Sequence, residues 1–116
     1  MTAEAETVRQ RLRGLSGSAR RMLDYVAVLE DGARYELLRR LARVPEPDMI
    51  DDLREVVEAG ILAALPGRPN TYDFVDEDVR ALVLADAGET RLPKLRARAE
   101  AARRRVEGDA SPPSER

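Results

Sequence analysis

The chain of 116 residues suits a single domain, and its 43% apolar content is enough for one core. It has no cysteine and no histidine, which excludes disulfides, thiolate metal sites and the usual general base, so most catalytic templates do not apply. No segment approaches the ~20 apolar residues of a membrane span, and the N-terminus lacks the order of a secretory signal. We therefore expect a cytoplasmic protein that is not an enzyme, with no cofactor, metal, membrane or small-molecule substrate.

Two helices are predicted in the N-terminal part of the chain. Val8 and Leu12 lie at helical spacing and indicate a short amphipathic helix from about Thr2 to Arg13. Ser16 is the expected N-cap of a second helix, which should stop at Asp31-Gly32. This second helix should be the central buried one, and its apolar stripe consists of Ala19, Met22, Leu23, Val26, Ala27 and Leu29.

A third, short helix follows, and its end is marked by prolines. Pro45 and Pro47 break it, because their rings fix φ and remove backbone donors. Asp48 is then the expected cap of a fourth helix. The apolar residues of the third helix are Tyr35, Leu37, Leu38, Leu41 and Ala42.

The fourth helix, roughly Met49 to Ala59, is acidic and has two predicted faces. The inward face consists of Ile50, Leu53, Val56 and Val57. The opposite, solvated face carries Asp51, Asp52, Glu55 and Glu58 against the single cation Arg54. Carboxylates on one exposed helix face seldom converge on a metal, so we predict no metal site here. This face also has the wrong sign of charge for contact with DNA.

A β-hairpin is predicted after Gly60, which fits the left-handed position behind the acidic helix. Its strands are Ile61 to Leu65 and Thr71 to Val75, joined by a loop rich in proline and glycine. A lone hairpin is only marginally stable, so it must pack on the helices. The expected contacts are Leu62, Tyr72 and Phe74, with the aromatic strand supplying the bulkiest core side chains.

Two further helices complete the prediction. The first begins at Asp76 or Glu77, buries Val79, Leu82, Val83 and Leu84, and ends at Gly88. The second runs from Arg91 to about Glu107, with Thr90 as its cap and Pro93 in its first turn. Residues 108–116 are small, polar and rich in proline, which predicts a disordered tail.

These elements predict a mainly α fold with a small β-hairpin, a winged helix-turn-helix over residues 1–107 with flanking helices at both ends. Three segments carry a resemblance to a known family, and they span roughly Arg11 to Ala101. They are RLRGLSGSARRMLDYVAVLEDGARYELLRRLA, MIDDLREVVEAGILAAL and YDFVDEDVRALVLADAGETRLPKLRARAEAA. In order and spacing they resemble the winged-helix domain that follows the ATPase core in LuxR-type regulators and other STAND ATPases.

The resemblance implies a regulatory packing module that works through protein contacts, while a separate domain reads DNA. The phosphate-binding glycine-lysine loop of an ATPase is absent from this chain. Where the family's strand leads to a histidine associated with nucleotide sensing, this chain has Asp76, which would repel a phosphate. Asp76 is instead explained by a helix N-cap.

Charge is strongly segregated along the chain. Residues 46–89 hold twelve acidic and three basic residues, and residues 90–105 hold seven basic and one acidic residue. One interpretation is internal complementarity, with the basic last helix lying near the acidic turn and helices. The other is that these charges bind a partner, and the sequence leaves both open.

Two hypotheses for function follow. The first is an adaptor or regulator that binds a protein partner or a second copy of itself, through the residues Arg96, Arg103, Arg104, Asp51, Asp52 and Glu55. The alternative is a DNA-binding transcriptional regulator that uses the basic last helix and the wing, through Arg68, Arg103, Arg104 and Arg105. An enzyme is the weakest hypothesis, because neither a catalytic histidine nor a phosphate loop is present.

Overall fold

The computed structural model describes residues 3–29 and 32–110, including the side chains of residues 6–29 and 32–105. It is mainly helical with one small antiparallel sheet, as the sequence predicts. In chain order its elements are α1 (Ala3–Arg13), α2 (Gly17–Val28), β1 (Ala33–Arg34), α3 (Tyr35–Ala42), α4 (Glu46–Glu58), β2 (Leu62–Ala64), β3 (Thr71–Phe74) and α5 (Glu77–Ala110).

Helix α2 is the centre of the core, as predicted. Ser16 is its N-cap, and the Ser16 hydroxyl accepts a hydrogen bond from the Ala19 amide at 3.1 Å. The helix ends at Val28, earlier than the predicted stop at Gly32, and Asp31 lies outside the described residues. The predicted apolar stripe is buried throughout: Ala19, Met22, Leu23, Val26, Ala27 and Leu29.

The sheet has three strands in the order β1-β3-β2. The predicted hairpin is present as β2 and β3, and the sheet contains one strand more than predicted. In the hairpin Leu62 is paired with Phe74. The strand that the sequence did not predict is β1, where Ala33 is paired with Tyr72. With only two residues, β1 is too short to show the alternation by which strands are recognised in sequence. Gly32 precedes it at φ 88°, in the left-handed region that favours glycine.

The turn between α3 and α4 differs from the prediction. α3 already ends at Ala42, because Arg43 adopts the left-handed conformation at φ 56°. α4 begins at Glu46 with Pro47 in its first turn, where the missing N–H has no intrahelical partner to lose. The prediction that Asp48 caps this helix is therefore wrong, since Asp48 lies inside it.

The inward face of α4 was predicted correctly for Leu53 and Val56 and incorrectly for Ile50 and Val57. Its buried residues are Met49, Asp52, Leu53 and Val56. Ile50 and Val57, which were expected to face inward, are instead 44% and 39% exposed. The helix is thus rotated so that Met49 is buried in place of Ile50, and Val56 in place of Val57. This rotation also brings the carboxylate of Asp52 into the interior.

Helix α5 turns at Gly88, where φ 78° and ψ 173° are non-helical. The first arm, residues 77–87, runs antiparallel to α2, since Arg80 contacts Ala27 and Asp86 contacts Arg20. The second arm, residues 89–110, returns along the same helix. Gly88 therefore separates two helices, as predicted, although the second already starts before the expected cap Thr90.

The start of α5 confirms the prediction for Asp76. Its carboxylate accepts a hydrogen bond from the Asp78 amide at 3.0 Å, and its carbonyl accepts one from the Val79 amide, so Asp76 is an N-cap. Val79 and Val83 are buried, whereas Leu82 and Leu84 are only half-buried.

The core is filled mainly by aliphatic side chains and methionine. Tyr72 and Phe74 are half-buried and pack against the core, so they do not supply its bulkiest contacts, while Leu62 is buried as expected. At the C-terminus α5 continues to Ala110, three residues into the tail that was predicted to be disordered, and residues 111–116 lie outside the described part. Within the described part of the chain, no helix has the length and apolar character needed to cross a membrane.

Candidate interaction surfaces

The exposed side of α4 borders a cleft of about 510 Å³ on the molecular surface. Ile50, Leu53 and Val57 contribute its apolar wall from α4. Tyr35 at the start of α3 and Tyr72 on β3 form the opposite wall. Three polar side chains complete the lining: Glu46, Arg54 and Asn70. We call these eight residues the α4 cleft.

Tyr35 is held in the α4 cleft by a hydrogen bond from its hydroxyl to Glu46 Oε2 at 2.9 Å. Partial burial is the main cause that raises the pKa of the Tyr35 phenol above its ordinary value of 10.0. The hydrogen bond to Glu46 and the charge of that carboxylate raise the pKa further, because both disfavour the phenolate. The phenol is therefore a neutral donor at physiological pH.

Two of the acidic residues predicted to be solvated face the start of α2 instead. Asp52 is only 7% exposed, and its carboxylate accepts a hydrogen bond from the Ser18 hydroxyl. Glu55 is half-buried and accepts from both the backbone amide of Ser16, at 2.7 Å, and the Ser16 hydroxyl, at 3.0 Å. The N-terminus of a helix carries unpaired N–H groups and a positive partial charge, so it attracts these carboxylates.

The prediction that Asp52 and Glu55 lie on a solvated face is therefore wrong, since both make contacts within the chain. That these two residues bind a partner stays a prediction. Asp51 and Glu58 are exposed, as predicted. The exposed side of α4 thus combines acidic residues with the two apolar side chains of Ile50 and Val57. The sequence did not reveal the α4 cleft because its apolar residues fit an inward-facing stripe equally well.

A second concave surface lies between the end of α3 and the second arm of α5. It has a volume of about 350 Å³. Its floor is apolar, formed by Leu41 from α3 and by Ala101 and Ala102 from α5. Four arginines surround this floor: Arg40, Arg43, Arg98 and Arg105. We call this surface the arginine cleft.

Arg98 joins the two walls of the arginine cleft. Its Nη2 donates to the carbonyl of Leu41 at 2.8 Å, and its Nη1 donates to the Tyr25 hydroxyl at 3.0 Å. The guanidinium also lies 5.3 Å from the centre of the Tyr25 ring. Arg98 therefore satisfies a carbonyl near the C-terminus of α3 and fixes the second arm of α5 against it.

The arginines predicted as binding residues on α5 do not all lie on one surface. Arg96 and Arg103 border a shallow depression beside Val28, on a different side from the arginine cleft. Arg104 is exposed, and its Nε lies 3.9 Å from Glu100 one turn earlier. Only Arg105 belongs to the arginine cleft. Arg40 and Arg43 were missed, although Arg39, Arg40 and Arg43 crowd the end of α3 in sequence.

Arg68, the predicted wing contact, lies in the loop between β2 and β3 and is exposed. Its Nη1 would lie 3.4 Å from a Cβ atom placed on Gly32, so the side chain folds back towards the sheet. Arg68 lines neither the arginine cleft, which includes Arg105, nor the depression that Arg103 borders.

Two further charged clusters are structural. Asp24, 4% exposed on α2, is 3.0 Å from Arg20 and 2.5 Å from Arg91, and Arg20 also contacts Asp86 at 3.2 Å. These ion pairs tie both arms of α5 to α2. They pair a buried carboxylate with two cations, which offsets much of its desolvation cost.

Arg80 is the second of these clusters. It is buried, donates to Ala27 O at 2.9 Å, contacts Asp73 at 2.5 Å and lies 5.4 Å from the centre of the Phe74 ring. Its Nε lies 3.2 Å from Glu77 without hydrogen-bond geometry. Arg80 therefore links the first arm of α5 to the end of α2 and to β3.

Among the described residues no group of three or more acidic side chains is arranged to hold a metal ion. Comparisons with protein-family models, with curated proteins and with solved structures found no match to this chain.

Proposed function

We propose that this chain is a non-catalytic winged helix-turn-helix module that acts as an adaptor or regulator through protein contacts. The order of elements from α2 to β3 supports the fold: α3 and α4 are joined by the short turn 43–45, and the hairpin of β2 and β3 follows and pairs with β1, which precedes α3. In such a module α4 is in the position of the helix that reads DNA.

The single observation that carries the proposal is the exposed apolar side of α4. Ile50 and Val57 are 44% and 39% exposed, and both border one cleft with Tyr35 and Tyr72. Aromatic and aliphatic side chains around a concave site are typical of protein interfaces. A single exposed apolar residue needs no explanation, but a cleft that gathers two exposed aliphatic side chains and two half-buried tyrosines does.

The charge around the α4 cleft supports a protein partner over DNA. Asp48, Asp51 and Glu58 are exposed on α4, and Arg54 is the only cation on this helix. A duplex would meet a net negative surface there, whereas affinity for DNA depends chiefly on cations that neutralise phosphates. The resemblance to regulatory winged-helix domains of LuxR-type regulators agrees with this proposal.

Site-specific photo-crosslinking tests the proposal. A photoreactive amino acid at position 57 should form a covalent adduct with one defined protein in an extract of the native host. The same amino acid at Ala81, an exposed position on the first arm of α5, is the matched control and should form none. The adduct from position 57 should disappear when Ile50 is replaced by lysine, because the charge disrupts an apolar interface. Equal adducts from positions 57 and 81 would contradict the proposal.

A gel shift titrated with salt tests the DNA-binding alternative. If the alternative holds, affinity for duplex DNA falls steeply with salt and is lost when Arg103, Arg104 and Arg105 are replaced by glutamine. The proposed function predicts instead that the chain binds duplex DNA only weakly and at no defined site, both before and after these three replacements. A steep salt dependence that is abolished by the triple replacement would overturn the proposal.

A further inference from the structure

We propose that the arginine cleft between α3 and α5 binds an acidic peptide segment of a partner protein, one that also carries an apolar side chain. This inference relies on the proposed function only in taking a protein as the partner. It concerns a surface separate from the α4 cleft, with different lining residues.

The first argument is electrostatic. Arg43, the residue that follows α3, and Arg105 on α5 border the same concave surface, with Arg98 between the two walls. No carboxylate is part of the lining among the residues whose side chains are described. Like charges held together repel one another, and an anion bound between them would relieve that repulsion.

The second argument is the shape of guanidinium recognition. Arg98 is held in place by Leu41 O, by the Tyr25 hydroxyl and by the face of the Tyr25 ring. A fixed, planar guanidinium suits paired hydrogen bonds to a carboxylate, and less side-chain freedom is lost when such a group binds. The cleft thus offers one pre-ordered cation flanked by two on its rims.

The third argument selects a peptide over a nucleic acid. The floor of the cleft is apolar, consisting of Leu41, Ala101 and Ala102, and it lies below the arginines. An aliphatic side chain can fill a concave apolar floor while its acidic neighbours reach the rims, as an amphipathic helix does in a groove. A phosphate backbone has no group for this floor, and among the residues whose side chains are described no aromatic ring lines the cleft for base stacking.

Fluorescence anisotropy with a labelled peptide tests the inference. The probe is a capped peptide with the repeat Glu-Leu-Glu-Glu, measured against the full chain. The double replacement Arg43→Glu and Arg105→Glu should weaken its binding at least about tenfold, because two attractive contacts become repulsive. The matched control is Arg21→Glu with Arg96→Glu, which changes net charge equally at two exposed positions outside the cleft and should weaken binding less than about twofold.

Folding is checked with the same variants. The single replacement Arg105→Glu lies on an exposed helical position, and its thermal midpoint should not fall, since it removes a like charge from the cluster. If the double variant does not fold, this single variant still tests the inference, with an expected loss of at least about threefold in affinity.

Three outcomes would overturn the inference. Equal losses in the cleft variant and the control would mean that overall charge alone attracts the peptide. Displacement of the peptide by duplex DNA at an equal or lower concentration would identify a nucleic-acid site. A mass that doubles with concentration, and returns to monomer in the Arg43→Glu and Arg105→Glu variant, would identify a second copy as the occupant. The crosslink from position 57 tests the α4 cleft alone, and the peptide titration tests the arginine cleft alone. The proposed function and this inference can therefore fail separately.

Discussion

Ser16 and Ser18 explain at the residue scale why two carboxylates of α4 turn inward. Both serines lie at the start of α2, where amide groups have no partner within the helix. Glu55 accepts from the Ser16 amide, and Asp52 accepts from the Ser18 hydroxyl. Hydrogen bonds to a charged acceptor are stronger than neutral ones, so these contacts offset solvation that the two acids lose.

Neighbouring aspartates on α4 provide a matched test of this account. Asp52→Ala should lower the free energy of unfolding by about 1 to 3 kcal/mol, because a hydrogen bond to a buried carboxylate is lost. Asp51→Ala, at an exposed position, should change it by less than about 0.5 kcal/mol. Urea unfolding followed by circular dichroism measures both. Equal effects of the two replacements would mean that Asp52 is not buried against α2.

Tyr35 and Glu46 make a prediction about alkaline pH. The pKa of the Tyr35 phenol is raised by burial and by Glu46, so the folded state binds this proton more tightly than the unfolded state. The resulting stabilisation is fully present below the ordinary pKa of 10.0 and is lost as the pH rises through the higher folded-state pKa.

Glu46→Gln should therefore lower the pKa of Tyr35 towards its ordinary value, because the negative charge beside the phenol is removed. An alkaline titration of phenolate absorbance measures this, with Tyr25 and Tyr72 replaced by phenylalanine so that one tyrosine reports. Glu36→Gln is the control. Glu36 is exposed on α3, the helix of Tyr35, and is not among the groups that shift the pKa of Tyr35. A Tyr35 titration that is identical in both variants would show that Glu46 does not act on the phenol.

Among the secondary-structure elements, Gly88 determines how the two arms of α5 pack against α2. A continuous helix of this length would carry the second arm away from the core, but the conformation at Gly88 returns it along α2. Asp24 then contacts Arg91 on the second arm, while Arg20 contacts Asp86 on the first. The conformation φ 78°, ψ 173° is accessible almost only to glycine.

Gly88→Ala should lower the free energy of unfolding by about 1 to 3 kcal/mol through backbone strain alone. No atom lies within 4 Å of the added Cβ, so steric overlap does not contribute. Gly17→Ala is the control: Gly17 begins α2, and alanine there should be neutral or stabilising. Differential scanning calorimetry measures both, and a Gly88→Ala protein as stable as the Gly17→Ala protein would contradict the assigned turn.

The elements that the sequence predicted well are those determined by local chemistry. Ser16 caps α2, Gly60 ends α4 at φ 78°, and Asp76 begins α5, each through contacts within a few residues. Strand β1 was missed because it is defined by its pairing with β3, which is distant in sequence. The rotation of α4 was missed because Met49 and Ile50, like Val56 and Val57, are equally apolar neighbours. The hydrogen bonds from the serines of α2 to Asp52 and Glu55 favour the observed orientation.

At the scale of the whole molecule, the two oppositely charged regions are not each other's main partners. Among the described residues the ion pairs of the second arm of α5 go to Asp24 and to Glu100, neither of which lies on α4. The inward acids of α4 contact the serines of α2. Two surfaces of different chemistry therefore stay open to partners: an apolar cleft on α4 beside acidic residues, and the arginine cleft.

Helix α4 presents Ile50 and Val57 to the surroundings and keeps their neighbours Met49 and Val56 inside. Because the chain has no cysteine, single cysteines can be placed at positions 49, 50, 56 and 57 and their reaction with a maleimide timed. We predict that cysteines at 50 and 57 react at least about tenfold faster than those at 49 and 56, whose side chains are buried. Faster reaction at 49 and 56 would mean that the apolar side of α4 faces inward and that no α4 cleft is available to a partner.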